Sequence, residues 1–237
     1  MSFYTLTLWL HVLVMGYWIG SDLVVNQLTH YTARASGLGG AERRRLWDFL
    51  LDVDQHPRNA LILSVPLGFT LASMLGLVAL HAAGLVGLWL LSALWFWFMW
   101  MTHWKHKTPH GRVWAKWDWR LRYVLIAAAV GSGALSLVTG RPYVAPWLAW
   151  KVILFGGVLS CGIGIRYYIR QAYEAWPRIW AGEALPGDEA LVRRAMWRGT
   201  YVLWVLWAQL AVWGNRGAAK RGCGMVRGLG LLVYCRA

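Results

Sequence analysis

Cysteine is scarce in this chain. Cys161, Cys223 and Cys235 are the whole complement, too few and too scattered for a disulfide framework. No CxxC occurs. There is no HExxH helix, no glycine-rich phosphate loop and no serine nucleophile elbow, which removes the best-marked metalloprotease, nucleotide-binding and hydrolase readings. No methionine-rich cluster is present. No internal repeat or low-complexity linker breaks the chain. The N-terminus has neither a basic n-region nor a small-residue cleavage site, so the first apolar segment is expected to remain in the mature protein. Acidic residues are also few. Asp and Glu number 10 against 24 Lys and Arg.

What is abundant is apolar surface. Hydrophobic residues make up 58% of 237 residues, and 19 are Trp. Several runs approach the length that spans a hydrocarbon core of roughly 30 Å. Trp favours the lipid–water boundary. The expectation is an all-α, polytopic transmembrane bundle of about six helices, over 3–28, 59–82, 84–103, 121–140, 146–170 and 196–214. It forms one domain, 1–214, and a basic tail follows at 215–237. The lipid bilayer is the first partner. A large water-facing domain is excluded.

The net charge of +14 fits nucleic acid or membrane topology. The basic residues fall between the apolar runs and no nucleic-acid motif accompanies them, so topology is the reading. Residues 29–58, 104–120 and 171–195 collect Lys and Arg, while the alternate loops are nearly bare. This puts loops 1, 3 and 5 in the cytoplasm and the N-terminus outside. The tail breaks the rule, with five basic residues on the outer side. The stretch GGAERRRLWDFLLDVDQHPR reads as an amphipathic cytoplasmic helix, with Leu46, Phe49, Leu50 and Val53 as its apolar face.

Within the first span lies LHVLVMGYWIGSDL. At 3.6 residues per turn, His11, Met15, Trp18, Asp22 and Asn26 share one stripe. The stripe is expected to face the bundle, because ionisable groups in lipid are costly. His11 falls in the outer half of the bilayer, about 12 Å from the outer end. Asp22 is a proton-relay candidate nearer the cytoplasm, with Arg58 or His103 as partner. Lys151, in PWLAWKVILF, falls at the depth of His11 and either snorkels outward or turns inward. Gly156, Ser160 and Gly164 form a line of small residues that admits a neighbouring backbone or a flat cofactor. Pro66 is expected to kink the second span, with Ser64 meeting a freed carbonyl. His103, His106 and His110 in MTHWKHKTPHGR, with His56, form either a solvated headgroup-facing cluster or a transition-metal site. His30 and His81 read as interface residues.

LHVLVMGYWIGSDLVVNQLTHYTARA resembles the first helix of the HemJ-type protoporphyrinogen oxidases. ERRRLW before SVPLGF is similar to that family's approach to a proline-containing helix. WLAWKVILFGGVLSCGIGIRYYIR and RGTYVLWVLWAQLAVWGN resemble its later helices. The same superfamily includes CopD-type copper-resistance membrane proteins, which share the His-then-Trp-Gly start. The resemblance implies a four-helix core holding haem b, with 84–140 as an inserted helix pair. It implies that His11 and Lys151 are the residues tied to haem and activity; Met15 and Trp18, on the stripe of His11, are further cofactor-binding candidates. A haem-dependent oxidoreductase of the bacterial-type inner membrane is then expected. It serves a porphyrinogen substrate or an electron-transfer partner protein. Ser21 and Asp22 depart from the family pattern. The alternatives are a CopD-like protein handling copper or another transition metal, and a membrane anchor subunit. A homo-oligomer fits any of these.

Overall fold

The computed structural model describes residues 1–105, Thr108 and residues 111–227, with side chains as far as Val212 except that of Arg112. Eight α-helices make up the described chain: α1 Phe3–Arg34, α2 Gly40–Val53, α3 Gln55–Met74, α4 Ala82–Lys105, α5 Gly111–Thr139, α6 Pro146–Ala172, α7 Trp176–Ala181 and α8 Asp188–Arg227. The only pairing resembling a strand among the described residues is a single bridge between Val78 and Tyr143. Four helices, α1, α4, α5 and α6, are long and apolar enough to cross a membrane. The chain is an all-α membrane-type bundle.

Local chemistry explains the ends. Ser2 caps α1, its Oγ accepting the Thr5 amide at 3.1 Å. Pro146 opens α6, where a missing N–H costs nothing. The span expected over 59–82 stops at Met74. Gly76 follows with φ +66°, the Leu77 amide donates to the Ala72 carbonyl at 2.9 Å and the Gly76 amide to Ser73 at 2.9 Å. That is a Schellman stop, which needs a residue that tolerates positive φ. Pro66 is carried inside α3, and Ser64 donates to the Leu61 carbonyl at 2.7 Å. At the other end α3 begins at Gln55, earlier than expected. α5 likewise begins at Gly111 rather than 121 and α8 at Asp188 rather than 196. Several charged residues there are paired: Arg58 with Asp54, Asp118 with Arg122 and Arg166, Asp188 with Arg178 and Glu189 with Arg43. α8 also continues past 214 to Arg227, so the start of the expected tail is helical; residues 228–237 lie outside the described residues.

The long helices close a ring in chain order. α1 packs on α3, α3 on α4, α4 on α5, α5 on α6, α6 on α8, and α8 returns to α1. α3 and α6 face each other across it. One apolar cluster joins α1, α3, α6 and α8 through Val14, Trp18, Leu67, Val158 and Leu206. A second joins α3, α4 and α6 through Ile62, Trp95, Met99 and Leu159, with Leu121, Leu125 and Ile126 of α5 packed against it. The helices drawn from residues 84–140, α4 and α5, therefore form two of the six walls of the ring. The line of small residues on α6 serves close packing: a Cβ on Gly156 would lie 2.8 Å from Val130 of α5, and one on Gly164 would lie 3.3 Å from Val202 of α8.

The stripe on α1 faces inward as expected. Val14 and Trp18 are buried, while Val12, Leu13, Leu23 and Val24 on the opposite face are exposed, as a lipid-facing surface requires. α2 is amphipathic, but its buried face differs from the expected one. Arg43, Trp47 and Leu50 are buried, and Phe49 is 55% exposed. The helix is turned so that Trp47 meets Trp176 at 5.1 Å between ring centroids. Arg43 grips Glu189 of α8 at 2.5 and 3.1 Å, with its guanidinium 5.2 Å above Trp176.

Candidate functional site in the bundle interior

Two cavities occupy opposite ends of the ring. The first, about 650 Å³, is lined by the N-terminal part of α1, the C-terminal halves of α3 and α5, and the start of α6. His11 and Lys151 both line it, so the two candidates chosen by depth share one chamber. Most of its wall is apolar, including Leu8, Phe69, Leu125 and Phe155. Gly68 lies beside the imidazole: a Cβ there would stand 3.5 Å from His11 Cε1. The Lys151 ammonium sits 5.2 Å over the Trp147 ring one turn before it, a cation–π contact. Ser132 and Tyr143 join their hydroxyls at 3.1 Å on the same lining.

Met15 and Trp18 do not belong with that pair. Met15 packs against the apolar cluster between the cavities. Trp18 is 2% exposed and lines the second cavity. The helix advances about 1.5 Å per residue, so residues one and two turns further along the stripe fall at a different level from His11.

The second cavity, about 450 Å³, lies at the end carrying the basic loops. All six ring helices and α2 contribute to it. Asp22, Asn26 and Trp18 come from α1; Asp54 and Arg58 from the start of α3; His103 from the end of α4; Arg122 from α5; and Arg166 and Arg170 from α6. The anticipated partners of Asp22 are engaged elsewhere. Arg58 pairs with Asp54 one turn away. His103 accepts from Gln55 Nε2 at 2.9 Å and donates to Asp52 at 3.1 Å. Asp22 Oδ2 is buried without a hydrogen-bond partner. Just past α6, Tyr173 helps close this end, and burial pushes its hydroxyl above the ordinary phenol range.

The strongest polar feature here was not anticipated. Asp118 of α5, 1% exposed, takes Arg122 Nε at 3.0 Å and Arg166 Nη1 of α6 on the same oxygen. The Asp118–Arg122 spacing of i, i+4 in WAKWDWRLR was the available signal. A second network is also internal: His30 meets Thr200 at 2.8 Å, and Thr200 donates to Asn26 at 2.8 Å. His30, expected at the interface, instead ties α1 to α8. His81 is exposed.

The expected histidine cluster does not assemble among the described residues. His56 bonds to the Tyr17 hydroxyl, away from the bonds that hold His103. No group of three or more His, Cys, Asp or Glu is arranged to hold a metal among the described residues. His106 and His110 lie outside those residues. No family model matches the chain, nor does any curated protein or solved structure.

Proposed function

We propose that this chain is a haem b-binding membrane redox protein of the HemJ/CopD-like kind, with its cofactor in the His11–Lys151 cavity. One observation carries the reading: residues from α1 and α6 that the chain separates widely line a single, largely apolar chamber inside a membrane-type bundle. The donor set and the space suit the group. The cavity's 650 Å³ falls inside the ~300–1,000 Å³ range of small-molecule and cofactor sites. An imidazole is a standard haem ligand.

His11 would hold the haem iron through its imidazole. Lys151 would help hold the group, either at the iron or by pairing with a propionate. Gly68 leaves room for the imidazole. Leu8, Phe69, Leu125 and Phe155 exclude water and lower the local dielectric, which sets a potential together with ligand identity. When bound, the haem supplies one-electron chemistry. Asp22, at the other end of α1, is the residue assigned to proton exchange with the cytoplasmic side. We infer six crossings, with α3 and α8 joining the four more apolar helices. α3 runs 20 residues, about 30 Å at 1.5 Å per residue. The Arg-rich end is assigned to the cytoplasm by the positive-inside rule.

The test is a dithionite-reduced minus oxidised spectrum, with a pyridine haemochrome assay, on protein purified in detergent after expression with ample haem. About one b-type haem per chain is expected. His11→Ala should lose it while keeping its helical circular dichroism. Haem-free wild-type protein, or full haem content in His11→Ala, overturns the assignment.

A further inference from the structure

The second cavity has the build of a ligand site in its own right. Its floor is apolar: Trp18, Val158, Leu203 and Leu206 belong both to its lining and to the central cluster. Its rim is cationic, with Arg58, Arg122, Arg166 and Arg170 on the lining. Two of these have guanidinium groups beyond what their counter-ion absorbs. A guanidinium carries five N–H donors. Arg122 uses Nε and Arg166 uses Nη1 on the one oxygen Asp118 Oδ2. Arg122 is held rigidly, with its side chain 8% exposed. Arg170 is exposed one turn beyond Arg166. Arg58 is taken up by Asp54. Asp22 belongs to α1, which stands across the ring from α5. The cationic surplus is therefore concentrated on α5 and α6.

We propose that this cavity binds an amphipathic anion. Its carboxylate or phosphate head would be held by Arg122, Arg166 and Arg170, and its apolar body would lie against Trp18, Val158, Leu203 and Leu206. Planar guanidinium forks suit such heads, and the pairing is stronger away from bulk water. The apolar floor supplies the hydrophobic part of the affinity. The site is separate from the His11–Lys151 cavity and does not depend on haem being there.

The experiment uses the full chain in a neutral maltoside detergent and measures equilibrium binding of radiolabelled oleate. Oleyl alcohol provides the same body without the charge, and inorganic phosphate a charged head without the body. Saturable binding of one oleate per chain is expected, at least about ten-fold tighter than oleyl alcohol, as a charge-assisted contact implies. Arg170→Gln should weaken oleate about five-fold, the scale of an exposed charge. Arg141→Gln, far from the cavity, should leave binding unchanged. Arg166→Gln should weaken it further. Should that variant fail to fold, Arg170→Gln still decides. Displacement of oleate by phosphatidylglycerol in mixed micelles supports a lipid headgroup as the source of the anion. Lack of displacement supports a free amphipathic acid. Equal affinity for oleyl alcohol, phosphate binding as tight as oleate, or indifference to Arg170→Gln overturns the proposal.

Discussion

The cavity at the His11 end is walled largely by apolar side chains, with Lys151 as its one Lys or Arg among the described residues. The cavity at the His103 end carries four arginines and two aspartates. The difference shows two ways of keeping charge inside a bundle. At the His103 end carboxylates anchor several of the arginines, Asp118 serving Arg122 and Arg166 and Asp54 serving Arg58, while Arg170 stays exposed on the rim. At the His11 end the ammonium lies over an indole ring within apolar walls. Paired charge supports architecture, because removing one partner strands the other. Sparse charge in an apolar chamber is the pattern of a working site.

Asp118→Ala tests the first half of that contrast most severely. It leaves two guanidiniums without their carboxylate, and about 3–5 kcal/mol of stability should be lost. Thermal unfolding in detergent measures it, and a loss below about 1 kcal/mol would mean the network is not structural. Arg43→Ala comes next. It removes the Glu189 pair, the bond to the Thr32 carbonyl at 3.3 Å and the contact with Trp176. Glu189 keeps 29% exposure, so the cost is smaller, about 2–3 kcal/mol. A double-mutant cycle with Glu189→Ala should show coupling.

Gly40→Ala probes a packing contact away from both cavities. A Cβ there would fall 2.2 Å from the Trp180 carbonyl oxygen. Overpacking of that kind costs about 1–3 kcal/mol, read as a lower unfolding midpoint. Lys151→Met sharpens the contrast from the other side. A flexible apolar side chain of similar length removes the ammonium from the Trp147 face, and that contact accounts for about 1 kcal/mol of any loss. The same variant should change the haem spectrum or midpoint potential. Strong destabilisation with an unchanged spectrum would make Lys151 structural.

The smallest effect concerns acid. Two bonds from Arg178 and one from the Leu185 amide hold the Asp188 carboxyl at about 2, below its ordinary 3.8. The folded chain thus gives up this proton more readily than the unfolded chain. The resulting stability is complete above about pH 4 and lost as pH falls toward 2. Asp188→Asn should flatten the stability profile in that window, and an unchanged acid limb would count against the pairing.

Much of the fold was legible. Helix existence followed from apolar run length, and the inward stripe on α1 from its period. The errors have physical sources. α5 and α8 begin earlier than hydropathy suggests, since Asp118, Arg122 and Asp188 are satisfied by partners that a hydropathy window cannot see. α2 turns its Arg43–Trp47 face inward because Glu189 and Trp176 reward it. Met15 and Trp18 share a stripe with His11, but a stripe specifies azimuth and leaves depth open.

Composition and periodicity by themselves determined an all-α membrane-type bundle, and they put His11 and Lys151 at comparable depth. Apolar run length and helical period are local properties, so the chain states them outright. Only the tertiary structure decided that six helices close a ring with two chambers. It also decided that α4 and α5 build part of the wall and that Asp118 binds two arginines. Those outcomes depend on which distant surfaces meet, and on the pairing of each buried charge once they do.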